Sequence, residues 1–244
     1  MLARLPAAAL RSRHQPHAPL SLAQERLALV VSRVLSPEAC ATIATNVDAA
    51  SAELTPNFDG VQHTLGLAYY THLEEDRVDE YFAGAERSHA LVERVAPGMS
   101  ARLLTLVSEV VQAEVVQRDG WCGPGIHVFP AQGWVAERGG DVHFDLEGLD
   151  DAQLATRQPA LSLVLGLRAP ESGGGLRLWP RTWAHGVAEA ADGEPTLLPL
   201  VPGDVVVFDS YRLHQIEPFE GGIDRLTATV HALRGDDGRW LAWF

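Results

Sequence analysis

His143-Phe144-Asp145 and the distant His214 carry the residue types that hold a redox metal and leave it open for chemistry. Two imidazoles and one carboxylate are the protein's share of a facial triad, the ligand set of non-haem Fe(II). The imidazoles bring neutral nitrogen, and the aspartate brings a charge that offsets part of the metal's. His143 and Asp145 are two residues apart, so in a strand both leave one face. His214 lies downstream of Val205-Val206-Val207-Phe208, in an apolar, β-branched stretch that reads as strand. A His-x-Asp tripeptide is common by chance, and a single strand histidine is ordinarily a hydrogen-bonded core residue. The same donors would also serve a zinc hydrolase. No His-Glu-x-x-His helix accompanies them, however, and no general base stands out.

Arg225 adds a second requirement. It follows the Gly221-Gly222 turn and opens the strand pattern Arg225–His231, in which Thr227 shares its face. A guanidinium clamps a carboxylate in bidentate fashion, and a nearby hydroxyl donates one more hydrogen bond. That pair could hold the far carboxylate of a 2-oxo diacid whose keto-acid end chelates iron. The ordinary alternative is a surface arginine paired with Glu217 or Glu220.

Helices must support these residues from the first half of the chain. Ser36-Pro37-Glu38 supplies an N-cap, a first-turn proline and an early acid, and Ile43, Val47 and Ala50 continue an apolar stripe. A second helix is expected over Asp76–Val95. A third is expected over Met99–Val116, where Leu103, Leu106, Val107, Val110, Val111 and Val115 recur at helical spacing. From Trp121 onward the pattern becomes strands: Ile126–Phe129, Val142–Leu146, Leu161–Leu167, Leu176–Trp179, Val205–Phe208 and Leu226–Leu233. Gly- and Pro-rich turns separate them. Many short strands of this kind predict a sandwich or jelly roll with helices on one outer face. No internal repeat is visible.

At 244 residues and 46% hydrophobic the chain suits a single domain. Residues 1–19 read as a flexible N-terminal arm and 20–244 as that domain, with its β core from about 121. A formal charge of −13, with arginine the only strongly basic residue type, argues against nucleic-acid and anionic-membrane partners. Cys40 and Cys122 fit no zinc or CxxC spacing and read as free thiols. No apolar stretch reaches membrane-spanning length. The cytoplasm is the expected location.

His143-Phe144-Asp145, His214 and Arg225-Leu226-Thr227, in this order, resemble the iron(II)- and 2-oxoglutarate-dependent dioxygenase superfamily. Gly174-Gly175-Leu176-Arg177-Leu178-Trp179-Pro180 and Gly203-Asp204-Val205-Val206-Val207-Phe208 also resemble its core strands. The resemblance covers roughly 121–233 and implies a double-stranded β-helix, a jelly-roll, cupin-like core. It implies that His143, Asp145 and His214 bind Fe(II), that Arg225 holds the distal carboxylate of 2-oxoglutarate, and that Thr227 assists. It further implies oxidation of a small-molecule substrate by O2, with succinate and CO2 as co-products. Hydroxylation of a small polar metabolite, such as an amino acid or a natural-product intermediate, is the default outcome. Desaturation, cyclisation or peptide modification would use the same ligands. Halogenases of the superfamily replace the acid with a small residue, so Asp145 argues against halogenation. A non-catalytic cupin-like binding domain is the competing reading from another class.

Candidates for substrate contact are His127, Trp134, Asp141 and Arg157, with Arg138, Glu147 and Asp150 flanking the His143 segment. His127 and Phe129 share a strand face, and Tyr69-Tyr70, read as strand, would send one ring to each side. Arg157 fits a loop at least as well as a pocket. Trp240 and Trp243 are expected to close one end of the barrel. Oligomeric state is not legible.

Overall fold

Along the strand from Arg225 to Arg234, Leu226, Ala228, Val230 and Ala232 join the main apolar core, while Arg225, Thr227, Thr229 and His231 line a cavity. The period of two sends them to opposite faces of one sheet. The computed structural model describes residues 1–10, 18–183 and 192–244. Its first half comprises β1 (Ala3–Pro6), α1 (Ala7–Leu10), α2 (Pro19–Glu25), β2 (Leu29–Ser32), α3 (Pro37–Ala49), β3 (Thr55–Asn57), β4 (Gln62–Leu65), α4 (Tyr69–Glu74), α5 (Val78–Val95) and α6 (Met99–Val111). There follow β5 (Val115–Gln117), β6 (Gly125–Phe129), α7 (Trp134–Arg138), α8 (Asp151–Thr156), β7 (Ala160–Arg168), β8 (Ser172–Gly173) and β9 (Leu176–Thr182). The last strands are β10 (Thr196–Leu198), β11 (Val205–Asp209), β12 (Arg212–Ile216), β13 (Phe219–Glu220), β14 (Arg225–Arg234) and β15 (Trp240–Trp243).

The main sheet has ten strands in the order β1-β2-β11-β7-β14-β6-β4-β3, with β15 on β14 and β5 on β15. A three-stranded sheet, β10-β9-β12, faces it. Leu176, Leu178 and Leu198 of the small sheet pack on Val30, Val206 and Phe208 of the large one. On the other face, Ile43 and Val47 of α3, Val92 of α5 and Leu103, Leu106 and Val110 of α6 cover Leu163, Leu165, Val207, Ala228 and Val230. Helices, large sheet and small sheet therefore form three layers, and the site lies between the sheets. This is the jelly-roll arrangement expected, with the helices on one outer face.

Local chemistry sets the helix ends. Ser36 Oγ accepts from the Ala39 N–H at 3.2 Å, and Pro37 opens α3. The stripe expected to run to Val116 ends at Val111, where Gln112 takes a left-handed φ of 54°. Val115 and Val116 are β-branched and instead pair in parallel with Trp240 and Leu241.

Three further expectations are corrected. The free arm over 1–19 is, at its start, structured: β1 pairs in parallel with β2, and Leu10 is buried. Residues 11–17 of that arm lie outside the described residues. The β core also reaches back before Trp121, because β2, β3 and β4 join the main sheet. Val142–Leu146 forms no strand; a single backbone bridge joins it to the small sheet, and Phe144 packs on Trp179 and Leu213 there.

Gly125 opens β6 in a place with no room for a side chain. A Cβ there would strike the Phe244 ring and lie 2.9 Å from the Leu65 carbonyl oxygen. Gly125→Ala is expected to cost about 1–3 kcal/mol, the usual penalty for overpacking a buried site. The urea midpoint measures it, and an unchanged midpoint would show that the crowding is absorbed.

Candidate active site

His143 and Asp145 sit on the extended segment between α7 and α8, and His214 sits in β12. His143 and His214 form an antiparallel bridge, each N–H donating to the other's carbonyl at 3.0 Å. The Asp145 N–H donates to the Ser210 carbonyl at 3.1 Å. These three bonds hold the triad segment against the sheet without making it part of one. Both imidazoles are oriented from behind: Nδ1 of His143 lies 2.8 Å from the Asp141 carbonyl, and Nδ1 of His214 lies 3.0 Å from that of Arg212. A carbonyl only accepts, so the ring hydrogen belongs on Nδ1 and the Nε2 lone pair is left for a ligand. The two Nε2 atoms lie 3.5 and 3.4 Å from the same oxygen, Asp145 Oδ1. All three donors fall within 4.8 Å of one another, a spacing at which one ion can meet them all.

The field at this point favours a cation. Burial works against a charged His143, yet the hydrogen bond and charge of Asp145 push it up to about 9. Burial also opposes the Asp145 charge, but His214 and His143 hold its carboxyl well below the usual carboxylate range. A metal ion would take the place of the proton in that arrangement. Asp145 Oδ2 faces His231 Nδ1 at 3.9 Å, and His231 is tied to Ser162 Oγ at 3.1 Å. Burial lowers the His231 pKa.

Deeper in, the same cavity is lined by a buried arginine. On the paired strands β14 and β6, Arg225 lies opposite Phe129 and Thr227 opposite His127. Arg225 is 1% exposed. Its Nε donates to the Gly174 carbonyl at 2.8 Å and its Nη1 to Thr227 Oγ1 at 3.3 Å, while Nη2 is buried with no partner. Phe129 stacks 5.3 Å from the guanidinium carbon. Burial pushes the Arg225 pKa down to about 9. Neither Glu217 nor Glu220 pairs with it; Glu217 instead accepts from the Gly175 N–H at 3.4 Å. A buried guanidinium with a spare donor and no carboxylate is a site built for an anion.

Solved structures share this fold. An N-substituted L-amino acid dioxygenase from Burkholderia ambifaria AMMD matches with a TM-score of 0.56 at 17% identity, over 98% of this chain and 91% of that one. The non-haem alpha-ketoglutarate-dependent epimerase SnoN of nogalamycin biosynthesis matches at 0.53 and 15%, over 85% and 80%. A 2OG-Fe(II) oxygenase family oxidoreductase from Burkholderia pseudomallei matches at 0.51 and 12%, over 94% and 93%. This is the fold of the 2-oxoglutarate-dependent iron oxygenases. No protein-family model matches the chain, and no curated protein matches it by sequence.

Within this oxygenase fold, His143, Asp145, His214, Arg225, Thr227, His127, Trp134 and Asp141 all line one cavity of about 210 Å³. Arg157 does not. It caps α8 at a left-handed φ of 49°, pairs with Asp209 at 3.7 Å and lies over the Tyr211 ring. Tyr69 and Tyr70 are helical rather than strand, so both reach the cavity. His127 is neutral, its pKa pushed down to about 3 by burial, and its Nδ1 has no partner. Burial and the Asp145 charge push Glu147 up to about 7. Sequence reasoning missed Glu74, His231 and Phe244 as cavity residues. His231 was findable, since it has the same parity along β14 as Arg225 and Thr227. Nothing local marks Glu74 or Phe244.

Proposed function

We propose that this protein is an Fe(II)- and 2-oxoglutarate-dependent oxygenase that hydroxylates a small metabolite, an amino acid or natural-product intermediate being the favoured class. One observation carries the reading: the triad and a buried Arg225 that no carboxylate side chain pairs with open into the same cavity. A zinc hydrolase would leave that arginine without a role. The donor set fits Fe(II), because two neutral imidazoles and one carboxylate face one point. His143 Nε2, His214 Nε2 and Asp145 Oδ1 would hold the metal, and the Asp141 and Arg212 carbonyls keep both rings in the required tautomer.

Arg225 and Thr227 would hold the distal carboxylate of 2-oxoglutarate, leaving its keto-acid end toward the triad. When bound, Fe(II) and 2-oxoglutarate supply the power to activate O2 and oxidise a C–H bond. Phe129 beside Arg225, with Tyr70 and Phe244 around His127, lowers the water content of the deep end and strengthens the charged contacts there. The cavity is small beside the roughly 300–1,000 Å³ of drug-sized ligand sites, which supports a small substrate.

The test is substrate-triggered succinate release across a metabolite panel, with Fe(II), O2 and abundant chloride. A product heavier by one oxygen is expected. A dominant chlorinated product would overturn the assignment of Asp145 as a ligand that keeps halide off the metal. Fe(II) binding with no succinate from any candidate would favour a binding domain.

A further inference from the structure

Among the described residues, two polar side-chain atoms at the cavity wall are buried without a partner: Arg225 Nη2 and His127 Nδ1. Both residues neighbour Thr227. Arg225 precedes it by two residues on the same face of β14 and donates to its hydroxyl at 3.3 Å, and His127 stands opposite it on β6. Side chains directly opposite in an antiparallel pair have Cβ atoms about 4.5–5.5 Å apart, so the three residues form one contiguous patch. Arg225 is 1% exposed and His127 7%.

Nothing around His127 answers its Nδ1. Phe129, Phe244 and Tyr70 set their rings against it, with centroids 5.8, 4.8 and 5.8 Å away. The Tyr70 hydroxyl is engaged by Gln62, and Thr64 Oγ1, opposite His127 in β4, accepts from Asn57 Nδ2 at 3.3 Å. Burial keeps the His127 ring uncharged. The ring can therefore add a hydrogen bond beside Arg225 without placing a second cation there. A buried polar atom left unpaired costs stability. A ligand carboxylate, with two oxygens and about four acceptor positions, would satisfy both orphaned atoms at once.

We propose that His127 donates from Nδ1 to the carboxylate that Arg225 and Thr227 hold, and that this third contact makes the site choose a 2-oxo diacid over a 2-oxo acid ending in a methyl group. The inference rests on the oxygenase reading and deepens it. A methyl in place of the carboxylate would leave Arg225, Thr227 and His127 all unpaired. A site built to hydrogen-bond its ligand rejects an analogue lacking the partner for that reason.

The experiment uses the full chain with Mn(II), which is redox-silent. Calorimetry measures 2-oxoglutarate and 2-oxopentanoate, which share a five-carbon chain and a keto-acid end and differ at the far terminus. His127→Phe keeps a ring among Phe129, Phe244 and Tyr70 and removes both nitrogens. It should cut the preference for 2-oxoglutarate about tenfold or more, through weaker 2-oxoglutarate binding, because a hydrogen bond to a charged group is lost. His127→Asn puts an amide N–H near the position of Nδ1 and should keep most of the preference. No binding of 2-oxoglutarate to the Mn(II)-loaded wild-type chain would overturn the oxygenase reading itself. Where it binds, an unchanged preference in His127→Phe overturns the His127 assignment alone. Equal weakening of both acids, the pattern of a merely structural histidine, also overturns it, and so does an equal loss of preference in His127→Asn. Should His127→Phe not fold, His127→Leu is read by the same criteria.

Discussion

His143→Ala and His214→Ala are each expected to abolish tight metal binding and all 2-oxoglutarate turnover. Each removes one of three donors converging on a single point, and each leaves Asp145 with less positive charge to meet. Loss of a partner outside the ligand set already costs about 10–100-fold in metal affinity, so loss of a ligand should exceed that. The two variants separate metal loss from unfolding. His214 is buried in β12, with a side chain 6% exposed, and its removal also opens a gap beside Phe208. The His143 side chain is 44% exposed, so His143→Ala opens no cavity in the core and should lose less stability than His214→Ala while losing the same chemistry. Anaerobic Fe(II) titration and succinate release measure the effect. Near-normal turnover in either variant would sink the metal assignment.

The parts of this site readable from sequence are those governed by the period of two. Arg225, Thr227 and His231 could be placed on one face from their parity alone, and His127 and Phe129 likewise. The triad was readable for a different reason. His143 and Asp145 face together even though Val142–Leu146 is not a strand, because two residues of extended chain give the same alternation whether or not a sheet continues. Tyr69-Tyr70 was misread for the converse reason: two aromatic residues favour strand locally, and only packing of α4 beside β4 and α5 decides otherwise. The N-terminal strand was equally hidden. Ala3–Pro6 has weak strand propensity and is held by its partner Leu29–Ser32, a contact that no local pattern encodes. Arg157 looked available because its position in a loop is visible, whereas its partner Asp209 lies on a different strand.

Arg225→Ala is expected to weaken 2-oxoglutarate binding by roughly 30- to 4,000-fold while leaving most metal affinity intact. Removing one side of a buried, hydrogen-bonded charge pair costs about 2–5 kcal/mol, which sets that range. Thr227→Val removes a single neutral donor, so its effect should have the same direction and stay near 0.5–1.5 kcal/mol. Stability should move the other way. Without an anion, Arg225 carries a desolvated charge met by the Gly174 carbonyl, the Thr227 hydroxyl and the Phe129 ring, with no carboxylate, and burial has already pulled its pKa down to about 9. Replacing such a charge with an apolar side chain of similar length is often neutral or stabilising. Arg225→Met should therefore melt at or above the wild-type temperature in the absence of co-substrate. Saturating 2-oxoglutarate should raise the wild-type midpoint, by about 2.7 kcal/mol of stability at a hundred times Kd, and leave Arg225→Met nearly unmoved. Calorimetry and thermal melts with Mn(II) present measure both. An unchanged co-substrate affinity in Arg225→Ala, or an equal thermal shift in Arg225→Met, would move the anion pocket elsewhere. The opposed signs matter, because a merely structural arginine would lose stability and co-substrate binding together.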